Sequence, residues 1–404
     1  MKKILLSLLI SGLLMPTVSA APTASPNSAA EVSVEAPPAI TDPAAPPQIS
    51  AAAYLVKDLQ SGTVLAQSDA DKPVNPASLV KMMTAYLVFQ ALENGALKTD
   101  QKLTVSTQGH AAAGSRMFLS PQTPASVDDL LKGMIVQSAN DAALTLAEAV
   151  GQGSVETFVA QMNQTAQRLG MVHTRFANPT GIGNDNQSSA ADLSLLAAAL
   201  IRDFPQHYPL FSIKSFKYNH IEQPNRNLLL FRDPNVDGLK TGYSESSGYH
   251  LAASSKRNGR RIVSVLIGAE STEERAAESG KLLNWALQAF DTAKLYPAGQ
   301  SLSQIKVYKG SSNTVNIGFL NDAYITVPHD STGGGSIKPI LETEQPVLAP
   351  IEKGSVLGKI KIVQNGKTVA EQNVVALESV PEAGWFGRIW DSIVLWFQSL
   401  FGNS

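Results

Sequence analysis

Cysteine is absent from this 404-residue sequence. Disulfide bonds, cysteine nucleophiles and thiolate metal sites are therefore excluded. An excess of charge is also missing, because 32 basic residues nearly balance 34 acidic ones and leave a net charge of −2. Nucleic-acid binding needs a basic patch or domain, so we expect no nucleic-acid partner. The six histidines show no metal-ligand spacing, and we expect no metal or organic cofactor.

The N-terminus carries one of the few long apolar runs. Two lysines precede this run, residues 4–14, and small residues follow at 18–20. This pattern predicts a secretory signal peptide over residues 1–20, with an uncleaved anchor as the alternative. Residues 21–50 are rich in alanine and proline and cannot bury a core. They are predicted to form an extended linker.

Structured sequence begins near residue 51, and residues 51–297 are predicted to form the larger folded domain. Apolar periodicity and helix-start signals predict helices over 78–92, 128–149, 154–169 and 273–290. Runs of apolar and β-branched residues predict strands at 53–58, 63–67, 249–254 and 261–268, the first two joined by a hairpin.

Two regions of different composition follow this domain. Residues 298–381 contain short strand-like runs, a glycine-rich loop at 332–335 and a hairpin signal at Asn365-Gly366, which together predict a small all-β domain. Residues 382–404 contain a helical stripe of tryptophan, phenylalanine, isoleucine and leucine. The stripe predicts an amphipathic helix lying in a membrane surface; packing on the β domain is the alternative.

The first motif that carries chemistry is a serine three residues before a lysine. Positions i and i+3 share one face of a helix, so Ser78 and Lys81 are neighbours at the start of the 78–92 helix. A serine hydroxyl needs a base to become a nucleophile, and burial and nearby cations can lower the pKa of a lysine towards neutrality. Alone, the pattern is more often a serine that caps a helix beside a solvated lysine.

Two further motifs follow in a fixed order. Ser138 and Asn140 are polar residues in a mostly apolar stretch, suited to relay a proton and to bind a substrate amide. Lys240 and Thr241 offer a charge and a hydroxyl to a substrate carboxylate, and Gly242 lets a ligand approach the backbone closely. The three motifs together indicate a serine acyltransferase.

The sequence resembles the D-alanyl-D-alanine carboxypeptidases, which are low-molecular-mass penicillin-binding proteins. The similarity covers nearly all of the chain beyond the linker. It is carried by residues 75–84, 114–119, 135–142, 225–227, 236–242 and 384–389. The resemblance implies an α+β fold of the β-lactamase/DD-peptidase type, in which an antiparallel sheet joins a helical lobe and the site lies between them. The all-β domain and the amphipathic helix follow.

The resemblance also implies roles for individual residues. Ser78 would be acylated, Lys81 would act as its base, and Ser138 would carry the proton to the leaving D-alanine. Arg226 would add positive charge beside Lys240 and Thr241. The backbone N–H groups of Ser78 and Tyr243 would form the oxyanion hole.

The implied reaction removes the terminal D-alanine from peptidoglycan stem pentapeptides, and β-lactam antibiotics would acylate the same serine. The implied location is the periplasm, with the chain peripheral on the outer face of the inner membrane. Two positions differ from the expected residues. Ala139 stands where the general motif of β-lactamases and penicillin-binding proteins has aspartate, and Tyr243 stands where well-known relatives often have histidine.

The alternative functions for this sequence are a class A β-lactamase and a non-catalytic wall-binding protein. A class A β-lactamase needs a glutamate to activate water, and no glutamate occurs between Glu156 and Glu222, although Asp192 is a possible cleft residue. A non-catalytic wall-binding protein would have no need for the intact serine and lysine motifs.

Overall fold

The computed structural model describes residues 45–329, 337–343, 345–364 and 366–401. The predicted signal peptide, most of the predicted linker, the loop at 332–335 and Asn365 lie outside these residues. The chain divides into two compact units at residues 293 and 294.

The first unit, residues 46–293, combines a sheet with helices. Its strands are β1 Ala53–Asp58, β2 Val64–Ser68, β3 Lys102–Leu103, β4 Ala125–Ser126, β5 Ser215–Tyr218, β6 Ile221–Pro224, β7 Val236–Ser244, β8 Gly248–Arg257 and β9 Arg260–Ala269. Its helices are α1 Lys81–Glu93, α2 Thr107–His110, α3 Val127–Val136, α4 Asn140–Val150, α5 Val155–Arg168, α6 Ala190–Asp203, α7 Leu229–Arg232 and α8 Thr272–Ala289, with short 3-10 helices at Ala77–Val80 and Tyr208–Ser212.

The main sheet is antiparallel, with strand order β2-β1-β9-β8-β7. Side chains alternate across it as the pleat requires. On β9, Ile262 and Leu266 pack in the cluster that includes α8, whereas Val263 and Val265 pack in the cluster that includes α6. Helices therefore cover both faces, and β7 is left as an edge strand.

Serine caps begin five of the described helices. In each case the side-chain oxygen accepts a hydrogen bond from a backbone N–H three residues later, which satisfies one of the free donors of the first turn. The capping residues are Ser106, Ser126, Ser154, Ser189 and Ser271.

The predicted continuous helix over 128–149 is wrong in one respect, because the structure breaks it into α3 and α4. The break falls at Ser138, whose φ is +64°, and at Ala139, which is extended. The N–H of Asn140 donates to the carbonyl of Ser115 at 2.7 Å instead of continuing α3. The break turns the Ser138 motif out of the helix.

The second unit is built on strands and ends in a helix. Its strands are β10 Phe290–Tyr296, which crosses the boundary, β11 Ser301–Tyr308, β12 Thr314–Gly318, β13 Ala323–Pro328, β14 Ile337–Thr343, β15 Val347–Leu348, β16 Val356–Gln364 and β17 Lys367–Ala376, and its helix is α9 Trp385–Phe401. Six strands form one sheet, in the order β14-β16-β17-β12-β11-β15. The predicted C-terminal all-β region and terminal helix are confirmed.

Helix α9 exposes large apolar side chains along its length, namely Trp385, Phe386, Ile389, Trp390, Ile393, Trp396 and Phe397. One polar side chain, Asp391, points the other way and accepts a hydrogen bond from the backbone N–H of Lys309. Within the described part of the chain, no helix is both long enough and apolar enough to cross a membrane.

Candidate active site

Ser78 and Lys81 meet at the junction of the 3-10 helix Ala77–Val80 and α1. Lys81 Nζ donates to Ser78 Oγ at 3.1 Å and also to the carbonyl of Thr180. The 3-10 turn places the two side chains three residues apart on one face, as the sequence predicts. Lys81 is held by these contacts with only 1% of its surface exposed.

The surroundings of Lys81 disfavour its charge. Burial and, to a lesser extent, the positive charge of Arg226 together lower the pKa of the Lys81 ammonium to about 7, against the opposing effect of the Asp141 carboxylate. A substantial fraction of Lys81 is therefore neutral near physiological pH. A neutral amine beside a serine hydroxyl has the arrangement that a general base needs.

A loop that the sequence analysis missed supplies the second partner of Lys81. The side-chain oxygen of Asn178 accepts hydrogen bonds from the N–H groups of Thr180 and Gly181, which turns the loop back onto the serine. At Gly181 the φ is +79°, and a Cβ there would lie 1.9 Å from the carbonyl oxygen of Ala77. The Asn-Pro-Thr-Gly turn sequence at 178–181 is the signal that could have identified this loop.

Ser138 and Asn140 lie beside the Ser78 motif, at the break between α3 and α4. The Asn140 side-chain N–H donates to the carbonyl of Ala113 at 2.6 Å. Ser138 Oγ and Asn140 Oδ1 are both buried, and neither has a hydrogen-bond partner among the described residues. Buried polar atoms are nearly always paired, so these two atoms mark a place where a ligand would be bound.

The third motif lies on the edge strand β7, which the sequence analysis did not identify as a strand. Lys240 is 2% exposed, and its Nζ donates to the carbonyl of Thr241 at 3.1 Å. Burial lowers the pKa of Lys240 well below its usual value, and the charges of Lys81, Arg226 and Arg275 lower it as well. At Gly242, a Cβ would lie 3.1 Å from the carbonyl oxygen of Pro76, so β7 packs closely against the backbone just before Ser78.

Arg275 was not identified from the sequence, and its guanidinium bridges the third motif and the segment that carries Arg226. Its guanidinium donates to the carbonyls of Gly242 at 3.2 Å and Arg226 at 3.1 Å, and it lies 5.6 Å from the centre of the Tyr249 ring. Burial and, to a lesser extent, the charge of Arg226 together lower the pKa of Arg275 to about 10. This end of the site is therefore strongly cationic.

His250 is a second residue that the sequence analysis left without a role. The side chain is fully buried, and its Nδ1 accepts from the N–H of Gly268 while its Nε2 bonds to the carbonyl of Asn75, both at 3.1 Å. Burial lowers the pKa of His250 to about 4, which keeps the ring neutral with its proton on Nε2. The histidine therefore pins the backbone just before Ser78 onto the sheet.

The sequence-predicted residues meet at one cleft of about 1270 Å³. Seven of them line it: Ser78, Ser138, Asn140, Arg226, Thr241, Gly242 and Tyr243. The two lysines, Lys81 and Lys240, are not lining residues and lie buried behind the surface. Asp192 does not line the cleft, because its carboxylate accepts from the N–H of His173 and the hydroxyl of Thr174 at the start of α6.

Among the described residues, no cluster of histidine, aspartate and glutamate side chains has the arrangement of a metal site. The chemistry that the cleft offers is that of its serine hydroxyl, its amines and its backbone donors.

Two family models match the chain. Residues 40–271, more than half of it, match the D-alanyl-D-alanine carboxypeptidase family, and residues 290–382 match the C-terminal domain of penicillin-binding protein 5. Among curated relatives, D-alanyl-D-alanine carboxypeptidase DacA of Haemophilus influenzae is 40% identical, over 88% of this chain and 92% of its own length. DacC of Escherichia coli is 39% identical, over 95% of this chain and 94% of its own length.

A solved structure agrees with the sequence matches. Penicillin-binding protein 5 from Haemophilus influenzae superposes with a TM-score of 0.76 and 38% identity, covering 84% of this chain and 99% of that one. The predicted resemblance, α+β fold and enzyme class are confirmed. The chain therefore belongs to the D-alanyl-D-alanine carboxypeptidase family of penicillin-binding proteins, hydrolases that act on the cell wall.

Proposed function

We propose that Ser78 is the acylated nucleophile through which this chain removes the terminal D-alanine from peptidoglycan stem pentapeptides. The observation that carries the proposal is the 3.1 Å contact between Ser78 Oγ and a buried Lys81 whose pKa is lowered to about 7. The family supports the reaction, and the contact supports the choice of nucleophile and base.

In the acylation step, neutral Lys81 takes the hydroxyl proton while Ser78 Oγ attacks the carbonyl carbon of the penultimate D-alanine. The negative charge that develops on the carbonyl oxygen is stabilised by the backbone N–H groups of Ser78 and Tyr243. Ser138 passes the proton to the nitrogen of the terminal D-alanine, which leaves. Water then attacks the ester by the same route in reverse.

Substrate binding follows from the charges around the cleft. The terminal carboxylate lies at Thr241, where Lys240 and Arg226 supply positive charge and the hydroxyl supplies a hydrogen bond. The unpaired Asn140 side-chain oxygen accepts the substrate amide N–H, which satisfies an atom that is otherwise buried without a partner. Gly242 leaves room for the peptide to lie against β7.

Penicillin acylates the same serine, but its opened ring stays attached. Water must therefore reach an ester that the remnant shields, whereas departed D-alanine leaves space. A β-lactamase of class A activates this water with a glutamate, and the interval 157–221 contains none. Asp192, the other acid considered for this task, is engaged at the start of α6. We therefore expect the penicillin adduct to outlive the peptide acyl-enzyme by at least about a hundredfold.

The test is a Ser78→Ala variant assayed for D-alanine release from a D-Ala-D-Ala peptide and, by intact-protein mass spectrometry, for covalent labelling after a penicillin pulse. Both should disappear while the melting temperature stays close to that of the unmodified protein. Thr84→Ser, which keeps the buried α1 hydroxyl that donates to the carbonyl of Pro179, is the matched control and should label normally. Labelling of the Ser78→Ala protein would refute the assignment. Rapid loss of the normal adduct would favour a β-lactamase.

We also propose how the chain is organised around this activity. Residues 1–20 direct export and are removed, residues 21–50 form a tether, residues 51–297 form the catalytic domain and residues 298–381 form the all-β domain. Helix α9, within residues 382–404, attaches the enzyme to the outer face of the inner membrane, which places it in the periplasm. The exposed aromatic side chains of α9 support this attachment.

A further inference from the structure

The cleft contains one acidic side chain that nothing in the described structure neutralises. The ionisable residues that line it are Arg226, Arg275, Glu245 and Glu273. Glu273 is paired, because its carboxylate lies 2.5 Å from the guanidinium of Arg232. Glu245 is exposed, and no hydrogen bond or ion pair reaches its carboxylate from any residue in the described part of the chain.

Glu245 is held in a defined place. It follows β7 directly, in the turn to β8, and the hydroxyl of Ser244 accepts a hydrogen bond from the N–H of Ser247 at 3.1 Å across this turn. Thr241 and Tyr243 are alternate residues of β7, so they share a face and lie about 7 Å apart. Glu245 follows them in the turn, and these three residues form a row that lines the cleft.

An aromatic ring stands between the carboxylate-binding end of this row and Glu245. The Tyr243 side chain is 52% exposed in the cleft, and its ring lies against that of Tyr249 with 4.5 Å between the centres. An aromatic face followed by a free carboxylate is a combination that binds ammonium groups.

A bound substrate peptide would run along this row of residues. A peptide whose terminal carboxylate lies at Lys240 and Thr241 and whose scissile carbonyl lies at the Tyr243 N–H must continue past Tyr243 towards Glu245. It thereby adds as an antiparallel strand to the free edge of β7. The residue that precedes D-Ala-D-Ala then lies opposite the turn, with its side chain within reach of Glu245.

We propose that Tyr243 and Glu245 form a subsite for a cationic side chain on the residue that precedes D-Ala-D-Ala. The preferred substrates are stem peptides whose diamino acid carries a free ammonium group, and peptides in which that amine is acylated are poorer substrates. This inference rests on the proposed carboxypeptidase function, and it identifies the side chains of Tyr243 and Glu245 as determinants of specificity, distinct from the Tyr243 backbone N–H that serves the acylation step.

The experiment compares two tripeptides that differ in one charge, Nα-acetyl-L-Lys-D-Ala-D-Ala and its Nα,Nε-diacetyl form. The unmodified enzyme should favour the cationic peptide in kcat/KM by about three- to tenfold, through an exposed ion pair and a cation–π contact. In Glu245→Gln the preference should shrink through loss on the cationic peptide alone, and in Glu245→Lys it should reverse. Raising the salt concentration should weaken the preference of the unmodified enzyme.

Glu273→Gln is the matched control, since it removes the other cleft acid, and it should keep the preference. Penicillin acylation rates should be the same in all these proteins, because benzylpenicillin has no cationic side chain for this subsite to bind. Equal kcat/KM values for the two peptides in the unmodified enzyme, or equal losses on both in Glu245→Gln, would overturn the subsite while leaving the carboxypeptidase function standing. If the unmodified enzyme forms the penicillin adduct but releases D-alanine from neither peptide, both the proposed function and the subsite are refuted.

Discussion

At the scale of single residues, the ionisation of Lys81 links the architecture of the site to its chemistry. Arg226 lowers the pKa of both Lys81 and Lys240, Lys81 lowers that of Lys240, and burial acts in the same direction on both lysines. Protonation of Lys81 is therefore disfavoured, and a fraction of this amine is neutral in the free protein, as its proposed role of base requires. The same positive field attracts a substrate that ends in a carboxylate.

The first prediction concerns pH. Only neutral Lys81 can accept the Ser78 proton, so the acylation rate by penicillin should rise about tenfold per pH unit well below pH 7 and level off above it. In Arg226→Gln, a neighbouring positive charge is lost, the pKa of Lys81 rises, and the midpoint of the profile should move to higher pH. Stopped-flow acylation of both proteins between about pH 5 and 9 measures this.

A control variant tests whether the pH profile of acylation reports on Lys81 as the base. Arg232→Gln changes a cation that is paired with Glu273, and it should leave the midpoint unchanged. A flat acylation profile in the unmodified enzyme, or an Arg226→Gln midpoint that moves to lower pH, would contradict the role of Lys81.

At the scale of secondary-structure elements, the site depends on segments that interrupt regular structure. Ser78 lies in a 3-10 turn before α1, Ser138 lies in the break between α3 and α4, and the carbonyl of Thr180 comes from a loop. Each interruption exposes a group that a regular helix would hide. The loop that carries Thr180 is the most constrained, because Gly181 packs directly against the backbone before Ser78.

The second prediction concerns this contact. In Gly181→Ala, the new Cβ would lie 1.9 Å from the Ala77 carbonyl oxygen and 3.0 Å from the Ser78 nitrogen, so the serine segment must move. Displacement of a nucleophile by about 1 Å costs on the order of a hundredfold in rate, and we expect a loss of that size in penicillin acylation. Stability should fall as well, by about 1–2 kcal/mol, because φ is positive.

Gly170→Ala separates the two effects. Gly170 has a φ of +77° with nothing within 4 Å of the added Cβ, so it carries the conformational cost without the collision. Thermal unfolding should show a similar loss of stability in both variants, while acylation should be impaired only in Gly181→Ala. Normal acylation by Gly181→Ala would mean that the loop does not position Ser78.

The same interruptions set the limit of what could be predicted from the sequence. The three motifs follow from their spacing and order, and the helical character of the segments around the first two follows from periodicity. The break at Ser138 does not, because buried apolar residues continue on both sides, from Met134 and Ile135 to Ala142 and Ala143, and the periodicity suggests one helix. The sequence pattern does not predict strand β7, because this strand contains a buried lysine and two glycines.

Long-range contacts account for the remaining residues that the sequence analysis missed. Thr180 lies 99 positions from Lys81, and His250 lies 175 positions from Asn75. Nothing local in the sequence relates such residues. The resemblance to a known family made the cleft predictable by naming Arg226 and Tyr243, but it did not name Arg275, whose contacts depend on how α8 packs against the sheet.

At the scale of the whole molecule, the chain has apolar sequence at both ends and a catalytic unit between them. Helix α9 exposes a large apolar surface, and large exposed apolar surfaces mark interaction sites. A helix with aromatic residues on one face and polar contacts such as that of Asp391 on the other suits a membrane interface.

The third prediction is that α9 is the membrane anchor. Deleting residues 385–404 should give an enzyme that fractionates with the soluble periplasmic contents and keeps near-normal activity on small peptides, because no catalytic motif lies in the deleted segment.

In the full chain, Trp390→Glu should weaken binding to anionic lipid vesicles by about tenfold or more, since it replaces an apolar surface with a charge. Ser392→Glu adds the same charge outside the aromatic stripe and should weaken binding far less. Cosedimentation with vesicles and membrane fractionation measure both effects. Tight membrane association of the truncated protein after removal of its signal peptide, or equal losses in the two point variants, would place the attachment elsewhere in the chain.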